Sequence, residues 1–110
     1  MYKLLLILLF TYGLALTTDD IYDDSWALII GIDKYYSVQN LDYATADAIS
    51  IQELLINKYN FSSPNVQLLL DRKATKAGIL KAFSTITKNA GENDRVLIYF
   101  AGHGETLDLQ

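Results

Sequence analysis

Along the chain, apolar residues fall into short unbroken runs separated by stretches in which they recur every three or four positions. Trp26-Ala27-Leu28-Ile29-Ile30-Gly31-Ile32 is one such run, closed by Asp33, and it predicts a strand buried on both faces. Ala44, Ala48, Ile51, Leu55 and Tyr59 are spaced four, three, four and four apart. That period predicts a helix from Ala44 to Lys58 with one buried face, and it turns Asp47, Ser50 and Asn57 elsewhere. Phe61-Ser62-Ser63-Pro64-Asn65 breaks the period, and Val66 to Leu70, followed by Asp71, predicts a second strand. Thr75 is placed to cap a second helix with Ile79, Leu80, Phe83, Ile86 and Ala90 on its buried side and Gly91 as a left-handed C-cap residue. Arg95 to Ala101 is the third strand, after which Gly102-His103-Gly104-Glu105 opens a loop.

Strand, helix, strand, helix, strand is the order of an α/β fold: a parallel sheet with helices packed on its faces. In open sheets of this kind the working site lies outside the carboxyl ends of the strands. Here those ends carry Asp33, Asp71 and the Gly102-His103-Gly104 loop. Asp33 and Asp71 are expected to cap a loop or the following helix and are assigned no chemistry.

The first residues follow another pattern. Of residues 1–16, 13 are apolar, and Leu4 to Phe10 is unbroken. Lys3 precedes this run, and the small residues Gly13, Ala15 and Thr17 follow, which together describe a cleavable export signal over residues 1–17. The run falls short of the roughly 20 residues needed to cross a bilayer. The expected product is periplasmic or secreted, with no membrane contact beyond the signal. Residues 18–25 are rich in Asp and show no hydrophobic period, and they are expected to be a solvated acidic linker. Residues 26–110 then form the folded part.

Composition narrows the chemistry. The 110 residues hold 9 Lys and Arg, 13 Asp and Glu, one His and no Cys, for a net charge of −4. That balance argues against nucleic-acid binding, which depends on clustered cations. One His without Cys leaves no ligand set for a zinc site, so no metal is expected within these residues. Neither a Gly-x-Ser-x-Gly elbow nor a phosphate-binding Gly-rich loop is present. His103, between two glycines at the end of a strand, is the candidate general acid and base. The amide of Gly104 is the candidate donor to a developing oxyanion.

Three stretches resemble a known family: Trp26 to Tyr35 (Trp-Ala-Leu-Ile-Ile-Gly-Ile-Asp-Lys-Tyr), Leu41 to Ala48 (Leu-Asp-Tyr-Ala-Thr-Ala-Asp-Ala) and, most specifically, Asp94 to Gly104, ending Tyr99-Phe100-Ala101-Gly102-His103-Gly104. They resemble the first half of the caspase-like cysteine peptidases, especially the bacterial and metacaspase branch, from about Trp26 to Glu105. The resemblance implies a truncated caspase-like sandwich, the β-α-β-α-β portion with helices on both faces, and a protein or peptide as substrate. It implies His103 as the histidine of a Cys–His dyad and Gly104 as an oxyanion-hole donor. Asp47 matches the aspartate at the floor of the pocket for the residue before the scissile bond, which implies cleavage after Arg or Lys.

Two departures accompany the likeness. Ala44 and Ala46 stand where metacaspases commonly have Cys and Asn. The nucleophilic Cys follows the next strand of the family, about 50 residues beyond the His, whereas 7 residues follow His103 here. The expectation is therefore a fragment of a longer exported endopeptidase, inactive by itself, with the edge of the third strand unpaired. A non-catalytic caspase-like binding module and a flavodoxin-like ligand-binding domain are the alternatives. No cofactor is expected in these residues. Calcium, used by some metacaspases through acidic residues beyond the histidine, and oligomeric state are not decided by this stretch.

Overall fold

The computed structural model describes residues 2–7, 21–35 and 39–103. Four strands, β1 (Tyr2–Ile7), β2 (Ser25–Gly31), β3 (Val66–Leu70) and β4 (Arg95–His103), form one sheet in the order β1-β4-β2-β3. Helix α1 (Ala44–Lys58) connects β2 to β3, and α2 (Lys76–Asn89) connects β3 to β4. Strands β4, β2 and β3 are parallel, with Ala27 opposite both Val66 and Leu97, and Gly31 opposite both Leu70 and Ala101.

The unbroken apolar run of β2 is explained by its place in the middle of the parallel strands. Because successive side chains alternate between faces, Ala27 and Ile29 enter one core with Ala44, Ala48 and Leu55 of α1. Leu28 and Ile30 enter a second core with Ala82 and Ile86 of α2. Leu28 is 1% exposed and Ile29 is 0% exposed. The helices therefore cover opposite faces, as the sequence predicts. At the top of β2, a Cβ on Gly31 would lie 2.7 Å from both the Ala44 carbonyl and the Ala48 Cβ. The glycine and the two alanines let α1 lie directly on the strand.

Several positions differ from the sequence reading. Leu80 and Phe83 are 58% and 43% exposed, because Ala82 faces the sheet and the buried stripe of α2 runs Ile79, Ala82, Ile86 and Ala90. Tyr59 ends α1 as an exposed C-cap residue, and Phe61 is buried in its place after Asn60 turns the chain at φ 60°. Gly91 is not left-handed. The C-cap Ala90 is extended, and the Gly91 N–H donates to Asp94 Oδ2 at 2.7 Å, so a carboxylate takes over the end of α2. Thr75 caps the start of α2 as expected, its hydroxyl accepting from the Gly78 N–H at 2.9 Å.

Of the acidic stretch, Asp23 and Asp24 have solvated side chains but a tethered backbone. The Asp23 N–H donates to the Asn93 carbonyl, and the Arg95 N–H donates to the Asp24 carbonyl. The outer edge of β4, expected to be unpaired, is occupied by β1, which runs antiparallel with Tyr2 opposite His103 and Ile7 opposite Ile98.

Candidate active site

Asp33 stands immediately beyond β2, and its carboxylate accepts from the amides of Ala44 at 2.7 Å and Thr45 at 3.2 Å and from the Thr45 hydroxyl. It thereby caps α1 from a distance in sequence, holding the helix N-terminus against the carboxyl edge of the sheet. Asp71 sits at φ 48°, and its Oδ1 accepts from the amides of Asp33 and Lys34 at 2.9 and 3.2 Å. Both carboxylates are occupied by backbone amides, in line with the structural roles expected of them.

With α1 held in this way, Asp47 in its first turn and His103 at the end of β4 face one cleft of about 540 Å³, completed by the 39–43 segment. The sequence places these two residues 56 positions apart, and the crossover brings them together. Asp47 is exposed, and its carboxylate makes no hydrogen bond to a described residue. Asp42 lines the same cleft, so among the described residues two carboxylates and no Lys or Arg border it. Asp42 lies within the Leu41–Ala48 stretch, but helical spacing cannot reveal it because it precedes the helix. Ala44 is fully buried beneath Gly31, whereas Ala46 is exposed. Gly104 lies outside the described residues.

The His103 ring is oriented by the loop after β2. Its Nε2 lies 2.8 Å from the Gln39 carbonyl. A carbonyl can only accept, so Nε2 is the donor in this contact. The Tyr35 ring meets the imidazole edge-on, with centroids 4.6 Å apart and planes at 70°.

A parallel α/β sheet with its lone histidine oriented at the carboxyl edge, beside a cleft bordered by carboxylates, is the architecture of an α/β protein whose site is built on the strand ends. More narrowly, the chain belongs to the caspase-domain family of cysteine peptidases, whose family model matches residues 24–109. It is similar to metacaspase-1 of Eremothecium gossypii, 36% identical over 90 residues that cover 76% of this chain and 20% of that protein. The same identity over 90 residues relates it to metacaspase-1 of Saccharomyces cerevisiae, covering 76% of this chain and 21% of that protein. Against metacaspase-1 of Plasmodium berghei it is 40% identical over 85 residues, covering 70% of this chain and 14% of that protein. The chain spans about a fifth of the length of the first two relatives.

Proposed function

We propose that this chain is the histidine-bearing part of an exported cysteine endopeptidase that cleaves after Arg or Lys, its nucleophilic Cys lying in sequence beyond Gln110. The observation that carries this reading is the His103 ring, turned by the Gln39 carbonyl at the mouth of a cleft shared with Asp47. In the proposed reaction Nδ1 takes the thiol proton, and the thiolate adds to the scissile carbonyl carbon. The Gly104 N–H stabilises the resulting oxyanion. The intermediate collapses with transfer of the imidazolium proton to the leaving amine, and water then hydrolyses the acyl-enzyme with His103 as base. The carboxylates of Asp47 and Asp42 favour a cationic side chain in the cleft and disfavour an acidic one.

Residues 1–17 serve as the export signal in this reading. Their removal would vacate the edge of β4 now paired with β1, leaving it for the next strand of the domain. Sequencing the N-terminus of the exported protein tests this step: a mature chain that still begins at Met1 would refute it.

The reaction is tested with the full-length protein and fluorogenic peptides ending in Arg, Lys or Asp. Cleavage after Arg and Lys that disappears in His103→Ala is expected. Faster cleavage after Asp would overturn the specificity, and an active His103→Ala protein would overturn the mechanism.

A further inference from the structure

Beyond the last pairing of β4 with β2, Gly31 opposite Ala101, His103 continues past the end of β2. There its backbone N–H donates to the Tyr35 hydroxyl at 2.6 Å, while the Tyr35 ring lies edge-on to the imidazole. The Tyr35 N–H in turn donates to Asn40 Oδ1 at 2.9 Å, drawing the two ends of the 35–40 loop together. This closure sets Gln39, whose carbonyl accepts from Nε2. The Leu41 N–H, bonded to the Asp33 carbonyl, anchors the far side of the loop to the end of β2.

Gly102 supplies an independent sign of the same contact. No described glycine has a positive φ, so backbone freedom does not account for it. Space does: a Cβ there would lie 2.5 Å from the Tyr35 hydroxyl and 3.0 Å from Phe100 Cζ. The residue before the histidine is thus kept small by the tyrosine oxygen that binds the histidine's amide.

We propose that Tyr35 is a positioning residue for His103, setting its backbone through the hydroxyl and its ring plane through the edge-on contact and the loop that presents the Gln39 carbonyl. Tyr35 reaches no reacting atom and acts through the imidazole. Proton transfer depends on the direction of the Nδ1 lone pair, so a ring free to rotate loses rate without losing substrate affinity.

The kinetic arm of the test rests on the peptidase reading above, and the spectroscopic arm does not. In the full-length protein, Tyr35→Phe keeps the ring and removes the hydroxyl, and kcat is expected to fall about 10-fold with KM unchanged. Gly102→Ala alone should be more damaging, and adding Tyr35→Phe to it should restore part of the lost kcat because the clashing oxygen is gone. Imidazole ¹⁵N spectra should report Nε2 as a hydrogen-bonded donor in the parent and lose that signature in Tyr35→Phe. Wild-type kcat with an unchanged ring spectrum in Tyr35→Phe would overturn the proposal. So would Gly102→Ala being equally impaired with and without Tyr35→Phe. If the parent cleaves no peptide, the peptidase reading fails, while the ring spectra still decide the role of Tyr35.

Discussion

The two ends of the parallel sheet differ in whether they hold carboxylates left to solvent. At the amino end, Asp94 accepts from the Gly91 amide, the Trp26 indole at 2.9 Å and the Asp24 amide at 3.1 Å. Beside it, the Arg95 guanidinium donates to Ser25 Oγ and the Tyr59 carbonyl and lies 4.4 Å above the Phe61 ring. That end is closed by its own polar groups, which join α1, α2 and the strands. At the carboxyl end Asp33 and Asp71 serve the backbone in the same way, but Asp42 and Asp47 border an open cleft beside His103. At this edge the carboxylates bound by backbone N–H groups stand at the strand ends, and those left to solvent border the cleft from the start of α1.

The sharpest way to break this comparison is at His103. In the full-length protein His103→Ala should lower kcat by about 10²- to 10⁴-fold, the range expected for loss of a general base. The thermal midpoint should move by no more than about 3 °C, since no core residue is changed. A collapse in stability equal to the loss of activity would make His103 structural. Next in size, Asp47→Asn should reduce kcat/KM for Arg and Lys peptides by about 10- to 100-fold, the scale of one charge-assisted hydrogen bond, with unfolding unaffected. An unchanged preference would remove Asp47 from the pocket.

At the same edge, Asp33→Ala should cost about 2 kcal/mol in urea unfolding, through loss of a helix cap with two amide partners. A neutral effect would show that Asp33 is dispensable and that the contrast between capped and open carboxylates is false. The smallest effect is expected at Asp94, whose pKa is held below the ordinary 3.8 first by the Gly91 amide, then by the Trp26 indole. Loss of hydration opposes this, and the Asp24 amide adds to it. A lowered folded pKa stabilises the protein above the unfolded value, and that contribution is lost as pH falls through the folded one. The stability advantage of the parent over Asp94→Asn should therefore be constant above about pH 4 and shrink below it, as measured by urea unfolding across pH 3–7. A gap that widens on acidification would contradict the assignment.

The elements were legible because each matched a local physical rule. Helix α1 ends at Lys58 and strand β3 at Leu70, both where the periodicity stops. The errors fall where a neighbour decides. Leu80 and Phe83 are as apolar as a core residue, but α2 packs Ala82 against the sheet and leaves them outside. Gly91 follows a helix, which ordinarily signals a left-handed cap, but Asp94 three residues later supplies an acceptor that makes that conformation unnecessary. Of the residues at the cleft, His103 stands out in the sequence and Asp47 through the family resemblance, whereas the contacts of Gln39, Tyr35 and Asp42 do not. Gln39 contributes a main-chain carbonyl, and a carbonyl carries no signature of residue type.

By itself the sequence determined the alternation of strands and helices, the two-sided burial of β2 and the family, because these depend on side-chain period and on motifs contiguous in the chain. Only the tertiary structure decided which carboxylates are capped, which way the His103 ring turns and what a side chain at position 102 would meet. Those properties arise between residues 11 to 68 positions apart, such as Asp33 with Ala44 and Tyr35 with His103. Such residues meet only after the β2-α1 and α2-β4 crossovers have brought the strand ends to one edge.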